Sequence, residues 1–462
     1  MNPTPLSKVA EFAGAKIQGG EAGVLIDTIS TDSRTIQPGQ LFVALRGENF
    51  NAHDFVEAVA KTGAAGAIVE ESWKGNAPAR FALLRAPDTL RAYQDLAANY
   101  RRSLSLKVVA ITGSNGKTST KDFTAAVLAR GFRVTKTEGN FNNHVGLPRT
   151  ILEATPDDEI GVWEIGMNHP GEIGPLAKIA KPDAAIITNI GVAHIEFMGS
   201  REAIADEKGA LAEAVGSGGW LILNADDPFS GRIAPRTLAR VILAGTTSGT
   251  IRAGEISQSA NGSDFTILEG AHRCRAQLPV PGLHMIQNAM FAVAAGRAFG
   301  LSLEEAAAAL AAAPLSKARL QVKIIHGVQF IDDSYNANPD SVKAALRTLV
   351  ELEADGKRIA VLGEMRELGA ETERGHREVG EKAATLGIDH LIAIGETGKL
   401  TVAAAQRAGL KRAVAVANTT GAAELLEQIV RPGDLVLVKG SRTARTEQVM
   451  EVFSSLQLEG TR

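Results

Sequence analysis

The string Ile111-Thr-Gly-Ser-Asn-Gly-Lys-Thr118 brings together two glycines, a cation and a hydroxyl at a spacing suited to phosphate. Gly113 and Gly116 allow the backbone N–H groups around Ser114 and Asn115 to curl about phosphate oxygens with no Cβ in the way. Lys117 can neutralise the β- and γ-phosphates of a nucleotide. The Thr118 hydroxyl suits the accompanying Mg²⁺ ion, and Ser119 next in sequence is a further candidate contact to the nucleotide. A Walker loop has glycine at the position of Ile111, so this is a shorter Gly-x-x-Gly-Lys-Thr variant. Gly-Lys-Thr also occurs in plain strand-to-helix turns. The apolar run before it and the helical pattern after it favour a nucleotide site.

Further polar residues follow other apolar runs, where open α/β sheets place their ligands. Glu164 follows Trp163 and is the expected carboxylate for a hard Mg²⁺ ion. Thr188, Asn189 and His194 follow Ile187. A lone histidine is more often a structural hydrogen-bonding group than a ligand, and both readings stay open for His194. Lys208, inside a helical pattern over 200–215, reads as a solvated surface lysine. Later, Asp332-Asp333 precede Asn336 and Asn338, and Lys439 and Arg442 close another apolar run. Asn-Ala-Asn-Pro suits a structural turn. Both loops are equally suited to face the phosphate loop across a cleft between domains.

Such residues need strands that end together. Residues 107–111 form a nearly unbroken apolar run, as in a strand buried on both faces of a parallel sheet. Runs at 160–163, 184–187 and 220–223 alternate with helix-length segments, which predicts a doubly wound sheet. Short alternating segments between 240 and 278 predict a small antiparallel insertion, and a helix pair over 285–313 stops at Pro314. Runs at 328–331, 358–362, 391–394 and 435–438 again alternate with helices. The expected class is α/β with three domains. These are a small N-terminal α/β domain at 1–103, a central P-loop ATPase-like parallel sheet at 104–314 and a C-terminal Rossmann-like domain at 315–462.

Composition narrows the function classes. With 462 residues, 45% hydrophobic and 22% charged, the chain can fill several cores and is not a disordered one. Lys+Arg 49 against Asp+Glu 52, a net charge of −3, argues against a protein that coats nucleic acid. Cys274 is the single cysteine, which excludes an internal disulfide. No apolar run approaches the roughly 18 residues of a membrane span. The first residues lack the apolar stretch of a signal peptide, so a cytoplasmic location is expected.

Several strings resemble those of the Mur ligases, the ATP-dependent amide-forming enzymes of peptidoglycan precursor synthesis. They are Ser30-Thr-Asp-Ser-Arg34, the phosphate loop, Gly139-Asn-Phe-Asn-Asn-His-Val-Gly-Leu-Pro148, and Thr188-Asn-Ile-Gly-Val-Ala-His194. Asp332-Asp-Ser-Tyr-Asn-Ala-Asn-Pro-Asp-Ser341, Val361-Leu-Gly-Glu-Met-Arg-Glu-Leu-Gly369 and Val438-Lys-Gly-Ser-Arg442 continue the likeness. Folylpolyglutamate synthases share the phosphate loop. The Asp-Ser-Tyr-Asn-Ala-Asn and Gly-Glu-Met-Arg-Glu-Leu-Gly strings are similar to the member that adds D-Ala-D-Ala to UDP-N-acetylmuramoyl-tripeptide.

The resemblance implies a monomeric ligase that uses ATP and Mg²⁺ and passes through an acyl phosphate. By the same resemblance Asp32, Ser33 and Arg34 contact the UDP end of the substrate, and Asn143 and His169 line the acceptor cleft. Asn336, Asn338 and Lys439 are further substrate-side residues. Asn288 lies beside adenine, while Arg319 and Asp333 reach the nucleotide from the C-terminal domain. Lys208 matches a lysine that is carbamylated in the family. With His194 it would hold a second Mg²⁺, so Lys117, His194 and Lys208 are the expected catalytic residues. The chain departs from the family where Met285 replaces a frequent asparagine, Ala318 a frequent glycine and Ala210 a usual glutamate. Two rival readings use the same loop: an amide ligase with another acceptor, and a nucleotide-dependent switch or scaffold.

Overall fold

The computed structural model describes residues 1–47, 49–78 and 80–456. The expected N-terminal span includes residues 48 and 79, and the expected C-terminal span includes 457–462; these lie outside the described residues.

The strand Lys107–Thr112 lies between two parallel neighbours, Ile160–Glu164 on one side and Ala184–Ile187 on the other. Val108, Val109, Ala110 and Ile111 are fully buried, as a central strand covered on both faces requires. The chain passes from one side of this strand to the other. Its C-terminal end is therefore a topological switch point, where side connections diverge and leave a crevice. Val134–Lys136 extends the sheet on one edge, and Trp220–Asn224 and Arg240–Gly245 extend it on the other, all in parallel.

The expected antiparallel insertion is corrected by this sheet. Arg240–Gly245 is a parallel member of it, and Ile251–Ser259 pairs with it in parallel. Ile251–Ser259, Gly262–Glu269 and His272–Leu278 do pair antiparallel with one another, but they continue the central sheet and complete its nine strands rather than standing apart from it. The alternating sequence there reflects edge strands with one face packed and one wet, a pattern that does not reveal whether the strands join an existing sheet.

Besides a two-stranded pair, Thr4–Pro5 with Leu25–Ile26, two smaller sheets flank the central one. Five strands, Lys16–Gln18, Ala82–Ala86, Gly66–Glu70, Leu41–Val43 and Ile29–Ser30, form the first in that order. The helix Thr89–Ser103, capped by Asp88, links it to the central sheet. Tyr100 Oη donates to Ala154 O at 2.7 Å and Arg101 Nε donates to Ala180 O at 3.1 Å, tying that helix down. The third sheet has six strands, with Val328–Asp333 beside Leu435–Lys439 and Asp333 in register with Lys439. The helix Pro339–Glu351 follows. Its Asn338 cap, reciprocal Ser341 bond and proline in the first turn define its start. One apolar core runs from the first sheet through the central sheet to this helix. Among the described residues no helix is long and apolar enough to cross a membrane.

Candidate active site

The phosphate loop joins Lys107–Thr112 to the helix Lys117–Leu128, so the helix N-terminus faces the switch-point crevice. Gly113 has a φ of +149°, and a Cβ there would lie 1.8 Å from Thr188 Oγ1. Gly116 has a φ of +81°, and its Cβ would lie 2.4 Å from Asn288 Oδ1. Both positions exclude any side chain. The neighbouring strand end braces the loop. Thr188 Oγ1 donates to Asn115 O at 2.6 Å, Asn115 N donates to Asn189 Oδ1 at 3.0 Å, and Ser114 N donates to Asn189 O at 2.9 Å. Lys117 Nζ donates to Gly113 O at 2.8 Å. Burial pushes the Lys117 pKa down, against the pull of Glu164. Ser119 is buried behind the loop.

Glu164 closes the base of the site. It accepts from Thr118 Oγ1 at 3.0 Å and from Asn142 Nδ2 at 2.7 Å, and only 2% of it is exposed. From the third sheet's side, Arg319 Nη2 donates to Thr118 Oγ1 at 3.3 Å, and its guanidinium lies 4.3 Å from the Tyr335 ring centroid. Arg319 Nε is buried without a partner among the described residues. A hydroxyl, a carboxylate and an unpaired guanidinium N–H at a helix N-terminus suit a magnesium-bound polyphosphate. Among the described residues no cluster of three His, Cys, Asp or Glu side chains could hold a metal alone. A cation here would therefore draw on Thr118, Glu164 and the phosphates themselves.

The third sheet leans over the loop and encloses a cleft of about 1250 Å³. Asn338 Nδ2 donates to Asn115 Oδ1 at 2.7 Å, and Asp340 Oδ2 accepts from Val192 N at 3.1 Å. Lys439 Nζ donates to Asp333 Oδ2 at 2.6 Å and to Asn336 O at 2.9 Å. Burial lowers the Lys439 pKa and the Asp333 carboxylate opposes that shift. His284 lines the same wall. Burial pushes its imidazole down to about 4, with Asp333 opposing and Lys439 and Arg319 reinforcing the shift. His194 Nδ1 lies 2.6 Å from Glu367 Oε2. Despite that distance, the nitrogen is buried and meets no in-line hydrogen-bond geometry among the described residues.

The cleft thus gathers Ser114 to Ser119, Glu164, His194 and Asn288. Arg319, Asp333, Asn336, Asn338, Lys439 and Asn143 line it as well. Asn143 has a local task too, since its Oδ1 accepts from Val145 N and Gly146 N at 3.1 and 2.8 Å. The neighbouring Asn142, not singled out from sequence, is the one that holds Glu164. Gly113 lies at the loop's base outside the lining, and three further groups of expected residues lie outside it too. Asp32, Ser33 and Arg34 sit on the first sheet's surface loop, where Arg34 grips Asp32 through two bonds of 2.9 and 2.7 Å. His169 is exposed at the rim against the Phe197 ring, next to the lining residues Asn168 and Glu172.

Lys208 is the third, and the reading of it as a solvated lysine is corrected: only 1% of it is exposed. It has no hydrogen bond or ion pair among the described residues. Burial and the Lys117 charge push its pKa well below the usual lysine value. The signal was present in the sequence. Ile204, Lys208 and Ala212 fall at i, i+4 and i+8 on the buried stripe of the helix Arg201–Glu213. Glu367 was missed because its partner His194 is far away in the chain. Ala318 has a φ of +56°, which gives a physical reason for the glycine that the family often carries there.

Comparison with known proteins extends these observations over the chain. Residues 25–101 match the model described as Mur ligase family, catalytic domain. Residues 111–296 match the Mur ligase middle domain, and residues 318–442 match the Mur ligase, glutamate ligase domain. The UDP-N-acetylmuramoyl-tripeptide–D-alanyl-D-alanine ligase of Bacillus subtilis (strain 168) is 38% identical over 92% of this chain and 93% of that protein. Its namesake from Escherichia coli (strain K12) is 36% identical over 99% of both. A crystal structure of MurF from Acinetobacter baumannii superposes with a TM-score of 0.91 at 31% identity, covering 99% of this chain and 100% of that one. The MurF ligase from Thermotoga maritima, solved in complex with ADP, gives 0.83 at 28% identity over 93% of this chain and 97% of that one. Identity of this extent spans all three sheets rather than the phosphate loop alone, and on it the chain belongs to the Mur ligase family.

Proposed function

We infer that this chain is an ATP-dependent ligase that joins D-Ala-D-Ala to UDP-N-acetylmuramoyl-tripeptide, releasing ADP and phosphate. The observation that carries the reading is convergence. Arg319 and Asn338, more than 200 residues away in sequence, reach Thr118 and Asn115 of the phosphate loop. The names of the relatives and the D-Ala-D-Ala-type strings at 332–341 and 361–369 support the choice of acceptor.

Forming an amide from a carboxylate in water is uphill, and the carboxylate is a poor electrophile. Phosphorylation removes both obstacles. The terminal carboxylate of the tripeptide attacks the γ-phosphorus of ATP, the bond to the ADP oxygen breaks, and an acyl phosphate forms. The amine of D-Ala-D-Ala then attacks the acyl carbon and phosphate leaves. Catalysis of such transfers is chiefly positioning and charge neutralisation. The loop amides and Lys117 hold the β- and γ-phosphates, and Arg319 adds charge from the opposite wall. Thr118 and Glu164 would hold Mg²⁺, which supplies charge neutralisation at the phosphates. Asn288 would border the adenine. Closure of the third sheet, which brings Asp333 and Lys439 to the cleft wall, would shield the acyl phosphate from hydrolysis.

As encoded, His194 and Lys208 do not make a cation site, because an unmodified lysine brings no anionic donor. A carbamate on Lys208 would supply oxygens for a second Mg²⁺. The neutral amine is the form that adds CO₂, and burial shifts Lys208 toward it. We assign 1–103 to the UDP end through Asp32, Ser33 and Arg34, 104–314 to ATP, and 315–462 to closure. Asn143, His169, Asn336 and Asn338 are assigned to the peptide substrates. The likeness to the family supports assigning the chain as a cytoplasmic monomer.

The test is phosphate release by purified protein with Mg·ATP and UDP-N-acetylmuramoyl-tripeptide, with and without D-Ala-D-Ala. Release that needs both, with a product heavier by the dipeptide, is expected. Release with a different amine instead would change the acceptor. Silence with every amine despite ATP binding would overturn the ligase reading.

A further inference from the structure

The string Gly363-Glu-Met-Arg-Glu-Leu-Gly369 leaves the strand Arg358–Leu362 and crosses from the third sheet to the central unit. Its start is pinned by backbone bonds, Gly363 N to Lys439 O at 2.8 Å and Ser441 N to Glu364 O at 2.9 Å. Its middle is pinned by His376, which is 2% exposed on the helix Thr372–Thr385. His376 Nδ1 lies 2.8 Å from Thr372 O, which can only accept, so Nδ1 carries the proton. Nε2 is then an acceptor, and it takes the Met365 N–H at 3.3 Å. Met365 and Leu368 are buried on either side, leaving Glu367 to project to the cleft.

There it meets His194. Glu367 Oε2 lies 2.6 Å from Nδ1, and Glu367 O accepts from Glu196 N at 3.4 Å. Gly369, at a φ of +51°, lets the loop close on Glu196, since a Cβ there would lie 2.8 Å from Glu196 Cγ. Both members of the pair hold left-handed backbone, with φ of +61° at His194 and +62° at Glu367. A non-glycine residue persists in that region where its surroundings over-determine it, and such residues gather at functional sites. Here two face each other across the boundary between two sheets.

We propose that Glu367 is a positioning residue that orients the His194 imidazole across the cleft, held in place by His376 through the Met365 amide. A carboxylate in contact with Nδ1 favours the tautomer that carries its proton there, which leaves Nε2 as the nitrogen available to the cleft. The histidine is thus aligned only while the third sheet is docked, which couples closure to completion of the site. The activity readout rests on the ligase reading above.

Wild type is assayed first with both substrates, and hydrogen exchange is followed in parallel without them, so failure of the ligase reading leaves the second readout intact. Glu367→Ala is expected to lower kcat 10- to 100-fold, the usual effect of losing such an orienting group. The KM for ATP is expected to stay within about twofold, because phosphate contacts are untouched. The Glu367→Ala/His194→Ala double variant should be no slower than His194→Ala alone. His376→Gln, which keeps an acceptor for the Met365 amide, should retain most of the kcat that His376→Ala loses. Peptides covering residues 192–199 should exchange several-fold faster in Glu367→Ala than in wild type. Unchanged kcat, additive losses in the double variant, or unchanged exchange would each overturn the proposal. If His376→Ala fails to fold, the half-exposed Glu367 site still decides the matter.

Discussion

The imidazole of His284 gives the sharpest numerical prediction, because the wall around it favours one protonation state. Its folded pKa is about 4 against an unfolded value near 6.5. Between those values the unfolded chain binds a proton that the folded chain refuses, so stability falls as pH drops through the window. The penalty is negligible at pH 7.5, about 1.4 kcal/mol at pH 5.5 and about 2.6 kcal/mol at pH 4.5, if the ring feels the full shift. Because the ring lines the open cleft and is only partly buried, about 1 kcal/mol at pH 5.5 is the working figure. His284→Gln keeps a polar amide and cannot titrate. Urea unfolding of both proteins at pH 7.5, 6.5, 5.5 and 4.5, without nucleotide, gives the comparison. The carboxylates that drive acid unfolding act in both, so only the difference between the two curves matters. That difference should move in favour of the glutamine variant as pH falls. Parallel curves would refute the placement of a neutral imidazole between Asp333 and the cations Lys439 and Arg319.

Four other perturbations probe the loop and its surroundings. Lys117→Ala should abolish ATP turnover while circular dichroism reports an intact fold, since its Nζ contributes only one bond, to Gly113 O, to the loop itself. Lys208→Ala should cripple ligation, with partial recovery in added short carboxylates at high concentration; full activity without them would sink the carbamate. Gly113→Ala must drive Thr188 Oγ1 off Asn115 O, costing about 2 kcal/mol or more in stability and weakening ADP binding measured by calorimetry. Ala318→Gly removes a left-handed alanine and should raise the urea midpoint, by a gain of up to about 1 kcal/mol offset in part by unfolded-chain entropy.

What the sequence disclosed, and what it hid, follows from the range of each interaction. The strand Lys107–Thr112 and the glycines after it were legible because burial on both faces and positive φ leave local marks: an unbroken apolar run, and residues without a Cβ. Glu164 was legible because strand ends in such sheets are where ligands sit. The hairpins after Ile251 misled, since edge strands alternate whether they form a separate insertion or finish a larger sheet. Asn142 was passed over for Asn143, because adjacent amides in a loop cannot be told apart until the backbone sets which one faces Glu164.

The contacts that turn a nucleotide loop into a site for ligation are of another kind. Asn115 and Asn338 are 223 residues apart, and Thr118 and Arg319 are 201. Each of those residues also has a purely local rationale, so periodicity and spacing had no means of pairing them. Asn338 is the clearest instance: its Oδ1 caps a helix through Ser341 N, and its Nδ2 reaches the phosphate loop. A cap alone requires only an acceptor, so aspartate would serve as well as asparagine. The second bond needs a donor, and asparagine satisfies both. Replacement by aspartate would keep the helix start and remove the donor that reaches Asn115. The amide at position 338 is therefore explained by closure over the loop, and the Asn-Pro signature, which by itself marks a turn, here belongs to the site as well.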